Sequence, residues 1–161
     1  MRVKLILIFA LSMLAWACEG GLEPRSGDQR AFIKGKITIR GTRPPADSLK
    51  ELRAVALRIF PANNLLEQIL TGQADFSPSS LPIDKDEFEY VLEIKAPPTE
   101  IMYFGIAINY GGPLDWKPGA VYGAVAAGDT THTSFIIKPG ETKRIDLILD
   151  FDNLPHNPFV Q

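Results

Sequence analysis

The chain is expected to fold as an all-β protein: a seven-stranded antiparallel sandwich of two sheets with one short inserted helix. Several stretches alternate apolar and polar residues with period two, the pattern of a strand that buries one face and solvates the other. Thirteen prolines and thirteen glycines divide the 161 residues into short apolar runs bounded by turns. A single segment places its apolar residues at helical spacing. Two sheets packed face to face are the economical way to bury many one-sided strands.

From Phe32 to Arg40, Ile33, Gly35, Ile37 and Ile39 point to one face while Lys34, Lys36, Thr38 and Arg40 point to the other. Gly41 to Ser48 is a loop, because Pro44 and Pro45 cannot donate to a ladder. Arg53 to Phe60 reads as a second strand with Val55, Leu57 and Ile59 inward, stopped by Pro61. Asn63 or Asn64 then caps a helix of about two turns, in which Leu65, Leu66, Ile69 and Leu70 fall at helical spacing and pack on a sandwich edge before Gly72. Gln73 to Asp84, rich in serine and proline, reads as loop.

Glu87 to Lys95 alternates cleanly, with Phe88, Tyr90, Leu92 and Ile94 inside and three glutamates outside, and Pro97 and Pro98 end it. Ile101 to Tyr110 is apolar on both faces, which marks a central or covered strand. A loop holding Gly111, Gly112, Pro113, Trp116, Pro118 and Gly119 leads to a weaker strand over Val121 to Ala126. Thr133 to Lys138 and Thr142 to Phe151, joined through Pro139 and Gly140, form the strongest hairpin signal in the chain. Asp152 onward, with Pro155 and Pro158, reads as a terminal arm.

The N-terminus carries its own signal. Arg2 and Lys4 precede an apolar run, Leu5 to Leu14, of secretory-leader length and short of the ~20 residues that span a bilayer. Ala15, Trp16, Ala17 and Cys18 admit two readings that cut the same bond. Ala15 and Ala17 suit ordinary signal peptidase, which leaves a free thiol. Ala17 followed by Cys18 resembles a bacterial lipoprotein signal, with Ala15 in place of the usual leucine, and implies a lipid on Cys18. A lone exposed thiol in an exported protein is reactive, and that favours the lipidated form. The expected organisation is a signal peptide over residues 1–17, a flexible tether over 18–30, the sandwich over 31–152 and an arm over 153–161.

Without Arg2 and Lys4, the chain's 17 basic residues fall to 15 against 19 acidic ones. That balance argues against a nucleic-acid partner, which selects a basic stripe. With one cysteine, the fold stands on packing and not on disulfides.

Three segments carry a family resemblance. Gly35 to Gly41, Val55 to Pro61 and Pro139 to Leu147 look like the transthyretin-like, carboxypeptidase-regulatory-like sandwich domains of bacterial lipoproteins, over about Phe32 to Phe151. The resemblance implies Greek-key topology, although the inserted helix is foreign to it. Hydroxyisourate hydrolases of that fold end in Tyr-Arg-Gly-Ser, whereas this chain ends Asn157, Pro158, Phe159, Val160, Gln161, so the resemblance implies no enzyme.

Candidate chemistry is sparse. His132, near Asp129 and Thr130, has the makings of a base oriented by a carboxylate, against the plainer reading of a polar turn; His156 has no local partner. Asp84, Asp86 and Glu87, and Asp150, Asp152 and Asn153, offer hard oxygen ligands for calcium without the glycine-punctuated spacing that wraps an ion. Gly111 and Gly112 precede Pro113 and not a helix, so they make no phosphate cradle. Tyr110, Trp116 and Tyr122 are the candidate ligand-binding residues: rings at a sandwich end stack on sugars or anchor a protein. The competing reading has Trp116 plugging the end of the core.

The sequence thus leads to an exported lipoprotein, anchored to a bacterial membrane through Cys18 and facing the periplasm or the surface, that acts as a non-enzymatic accessory or binding module. Its expected partners are the membrane and an envelope protein or glycan, with no metal and no cofactor. A hydrolase built on His132 and a ligand-free structural spacer are the alternatives.

Overall fold

The computed structural model describes residues 30–45, 47–60, 65–112, 115–124 and 132–157. The leader, Cys18, nearly all of the tether, the capping Asn63 and Asn64, and Asp129 and Thr130 lie outside those residues. Among the described residues no helix is long and apolar enough to cross a membrane.

The described residues are mostly strand, with one short helix. In order the elements are β1 (Ala31–Arg40), β2 (Glu51–Leu57), α1 (Leu65–Leu70), β3 (Ala74–Phe76), β4 (Glu87–Ile94), β5 (Thr99–Ile101), β6 (Tyr103–Asn109), β7 (Trp116–Val121), β8 (Phe135–Ile137), β9 (Thr142–Arg144) and β10 (Leu147–Asp150). One sheet runs β10–β1–β4, with β9 also along β1; a second runs β3–β2–β6–β7; β5 and β8 form a small third. The first two sheets share one core, to which Ile33, Ile37, Leu92 and Leu149 contribute from one side and Leu52, Phe104, Ile106 and Ile108 from the other. Each such side chain stabilises the fold by about 1.5 to 3 kcal/mol on burial. As the sequence suggests, β1 and β4 bury alternate residues, and β6, apolar on both faces, is central.

The strand count and pairing depart from expectation. Ten strands replace seven among the described residues. β3 falls in the presumed serine-proline loop, β5 is separated from β6 at Met102, and the last long run divides into β9 and β10 at Ile145 and Asp146. Pro139 and Gly140 do turn the chain: Glu141 N–H donates to the Lys138 carbonyl at 3.0 Å and Gly140 has φ +75°. The flanking strands then diverge and form no hairpin. β8 pairs with β5, which seats Ile137 and Ile101 in the core, while β9 and β10 run parallel to β1 along its open edge. The five other pairings are antiparallel.

The facing of β2 is the reverse of the one expected. Leu52, Ala54 and Ala56 face the core, Val55 and Leu57 face outward, and Ile59 lies past the strand at 51% exposure. The reason is space: Tyr90 and Phe104, with ring centroids 6.1 Å apart, fill the layer, so alanine is the side chain that lets β2 close on it. The outward residues make a satellite cluster in which Leu57, Ala74, Tyr103 and Val121 pack with Val55 and Phe60.

The break between β9 and β10 is a built feature. Tyr90 donates its hydroxyl to the Ile145 carbonyl at 2.7 Å. Lys36 N–H turns to Asp146 Oδ1 at 2.8 Å. That backbone hydrogen bond, with Arg144 and Lys36 nearby, holds the Asp146 carboxyl below its ordinary pKa of 3.8 against a partial opposing effect of desolvation. A depressed carboxylate lends stability above its unfolded pKa and loses it as pH falls through the folded value. Asp146→Asn keeps an acceptor without a titration. In urea unfolding between pH 7 and pH 2, the variant is expected to match the wild type near neutrality and to lose less stability below pH 4; parallel curves would remove Asp146 from the acid response.

Candidate functional site

The outward face of the second sheet holds an apolar groove of about 170 Å³. β2 supplies Arg53, Val55 and Leu57 to it, β6 supplies Tyr103, Gly105 and Ala107, and Trp116 and Pro118 of β7 close one side. Ile69 of α1 and Phe76 of β3 close the other. The floor is open because small residues, Gly105 and Ala107, lie on the central strand. Gly105 is required there by its neighbours, since a Cβ would lie 2.2 Å from the Ala120 carbonyl oxygen at the irregular β6–β7 ladder. Phe76 stays 45% exposed and Ile69 37%, so the rim is apolar and wet. The polar groups at the margin are engaged with one another: Arg53 donates to Glu51 Oε2 through Nε at 2.9 Å and to the Ser77 carbonyl through Nη1 at 2.7 Å.

Of the three aromatic candidates, only Trp116 lines this groove. It is the first residue of β7 and neither a loop residue nor a plug for the core end. Tyr110 is half-buried against the main core with Lys117 Nζ 5.1 Å from its ring centroid, and burial, then Asp115, pushes its pKa up. Tyr122 lies just beyond the far end of β7, about 20 Å from Trp116 at ~3.3 Å per residue, and sits edge-on to Phe135 at 5.7 Å between centroids. The three rings do not form one surface.

His132 lies against Phe60 and Tyr103, at 4.3 and 6.1 Å between centroids, and among the described residues no carboxylate reaches its buried Nδ1. His156 is exposed. The two acidic clusters are used locally. Asp86 pairs with Arg43 and Glu87 with Lys36, Asp150 caps the backbone of Asp152 and the side chain of Asn153, and Asp152 Oδ1 accepts from Thr42 N–H at 2.9 Å. Among the described residues no group of three or more His, Cys, Asp or Glu side chains is placed to hold a metal.

A buried ion pair that alternation does not reveal sits behind the groove. Arg58 and Asp75 are 12% and 2% exposed and meet at 2.5 Å. Arg58 also donates to the carbonyls of Gly72 and Lys95, at 3.0 and 2.6 Å, and to Thr99 Oγ1 at 3.2 Å. It thereby ties the end of β2 to β3 and to the turn after β4.

Comparison with protein-family models, curated proteins and solved structures finds no match for the chain.

Proposed function

We propose that this protein is an exported, lipid-anchored binding module of a bacterial envelope, a transthyretin-like Greek-key sandwich that docks a partner protein through the groove beside Trp116. The anchor rests on the leader and Cys18. The binding reading rests on one observation: a sheet face lined by Trp116, Phe76 and Ile69 is left open to water, where covering it would be favourable. An apolar cavity of about 150 Å³ takes a benzene ring, so the groove has room for one aromatic or branched side chain. A sugar needs several polar partners; here Arg53 and Glu51 satisfy each other. The chemistry favours a protein anchor over a glycan, and binding over catalysis.

The test uses the mature chain from Cys18 onward, in which Trp116 is the sole tryptophan. Envelope proteins captured by the chain are expected to shift Trp116 emission, and Trp116→Ala to weaken capture about thirtyfold, the size of a ~2 kcal/mol anchor. Phe76→Ser, at an already exposed position, tests the same surface without touching the core. A glycan panel that shifts the emission in place of proteins would change the occupant. Undiminished capture by both variants would overturn the reading.

A further inference from the structure

A second, independent surface lies on the other sheet, at the outer edge of β4. The phase of the β1–β4 ladder is set by Ile39 N–H, which donates to the Asp86 carbonyl at 2.7 Å. In that register Phe88, Tyr90, Leu92 and Ile94 bond to Ile37, Gly35, Ile33 and Ala31. The intervening β1 residues turn the other way: Phe32 N–H reaches the Glu141 carbonyl, Ile145 N–H reaches the Lys34 carbonyl, each at 2.9 Å, and Lys36 N–H reaches Asp146. By the same alternation the N–H and C=O groups of Glu87, Glu89, Val91 and Glu93 point away from β1. Sheet order makes β4 an edge, and among the described residues no hydrogen bond occupies those groups. All four residues are exposed, Val91 at 58%. The result is a row of backbone donors and acceptors about 20 Å long at ~3.4 Å per residue.

An edge of this length is a template for strand addition, and its side chains select the strand. Antiparallel pairing with a second copy about Val91 would set Glu89 of each chain opposite Glu93 of the other, and like charges directly opposite are destabilising. Lys36 engages Glu87 at 2.9 Å; among the described residues no ion pair reaches Glu89 or Glu93. Two carboxylates flanking an exposed valine therefore repel a copy of this chain in that register, and Glu87, Glu89 and Glu93 outnumber Lys34 and Lys36 across from them on β1, which suits a cationic segment.

We propose that the outer edge of β4 receives an extended basic segment of a partner protein as an added antiparallel strand, with lysine or arginine opposite Glu89 and Glu93 and an apolar residue opposite Val91. Main-chain bonds supply the affinity and the two carboxylates the choice of sequence. Binding weakens with salt, because both carboxylates are solvated.

The test titrates isotope-labelled mature chain, from Cys18 onward, with a capped heptapeptide bearing lysine at its second and sixth positions, valine at its fourth and threonine elsewhere. The amides of Glu89, Val91 and Glu93 are expected to shift and to exchange at least tenfold more slowly, while Trp116 emission stays unchanged. Glu89→Lys with Glu93→Lys, a surface change, lowers affinity at least tenfold. Val91→Pro removes an outward N–H without touching the β1 ladder and abolishes binding. Unprotected edge amides, equal binding of a peptide with glutamate in place of lysine, undiminished binding by the charge-reversed variant, or dimerisation through this edge would each overturn the proposal. Loss of the groove's activity leaves it standing, since Trp116→Ala does not touch β4.

Discussion

Arg58→Met is expected to lower stability by about 3 to 5 kcal/mol, the cost of leaving a buried charge without its partner. Asp75, 2% exposed, holds its carboxylate against Arg58 at 2.5 Å and accepts Lys95 N–H at 3.2 Å. Burial raises the Asp75 pKa above 3.8, and Arg58 is the leading interaction that opposes this. Because the native state binds that proton more tightly than the unfolded chain, the contribution of Asp75 is most favourable below its unfolded pKa. It is lost as pH rises through the folded value. Removing Arg58 raises the folded value further, so the deficit of the variant grows with pH and is larger at pH 7 than at pH 3.5. Asp75→Asn on the Arg58→Met background keeps an acceptor for Lys95 N–H and removes the stranded charge, so the double variant is expected to be more stable at pH 7 than Arg58→Met alone. Urea unfolding followed by circular dichroism measures each term. A single-variant loss under about 0.5 kcal/mol, or one independent of pH, would mean that water reaches the pair.

Alternation made β1 and β4 legible because each buries one face completely, so that Ile33, Ile37, Phe88 and Leu92 stand out against lysines and glutamates. It failed on β2, where both faces are apolar and the larger side chains lie outward. Ranking Val55 and Leu57 above Ala54 and Ala56 assumes that the bulkier residue faces the core, whereas the Tyr90–Phe104 layer leaves room only for alanine. The same inversion hid the groove, since Arg53, Val55 and Leu57 line it from the face that hydrophobicity assigned to the interior. Trp116 was visible as an aromatic candidate, but Pro118 and Gly119 disguised its strand as loop. Proline is tolerated there because β7 is an edge. The false hairpin shows the limit of local signals: Pro139 and Gly140 specify a turn, while partners for β8 and β9 are set by which distant edge is open. Arg58 and Asp75, seventeen residues apart, carry no periodic signature.

Gly35→Ala is expected to be more damaging still. A Cβ at Gly35 would stand 1.8 Å from the Ile145 carbonyl oxygen and 2.5 Å from its carbon, and both are backbone atoms that no rotamer change can move. In a regular parallel ladder that carbonyl would accept Lys36 N–H. Here it is turned over Gly35, where Tyr90, the residue opposite Gly35 on β4, satisfies it from 2.7 Å, and Asp146 takes its place toward Lys36 at 2.8 Å. Relieving the clash means detaching β9 or β10 from β1, which also uncovers Ile145, Leu147 and Leu149 from the core. The cost exceeds about 4 kcal/mol, most of the stability of a small domain, and the variant is expected to be unfolded or aggregated at 37 °C by circular dichroism. Two controls separate the causes. Tyr90→Phe keeps the ring against Phe104 and strands only the carbonyl, for about 1 to 3 kcal/mol. Gly72→Ala, at φ +71° with nothing within 4 Å of its Cβ, carries backbone strain alone, about 1 to 2 kcal/mol. If Gly35→Ala fell into the same range as Gly72→Ala, the carbonyl of Ile145 would have to swing away freely, and the Tyr90 hydrogen bond would then carry no stability either. The two losses are therefore coupled: a carbonyl fixed firmly enough to exclude a methyl group at Gly35 is also one whose buried oxygen depends on Tyr90.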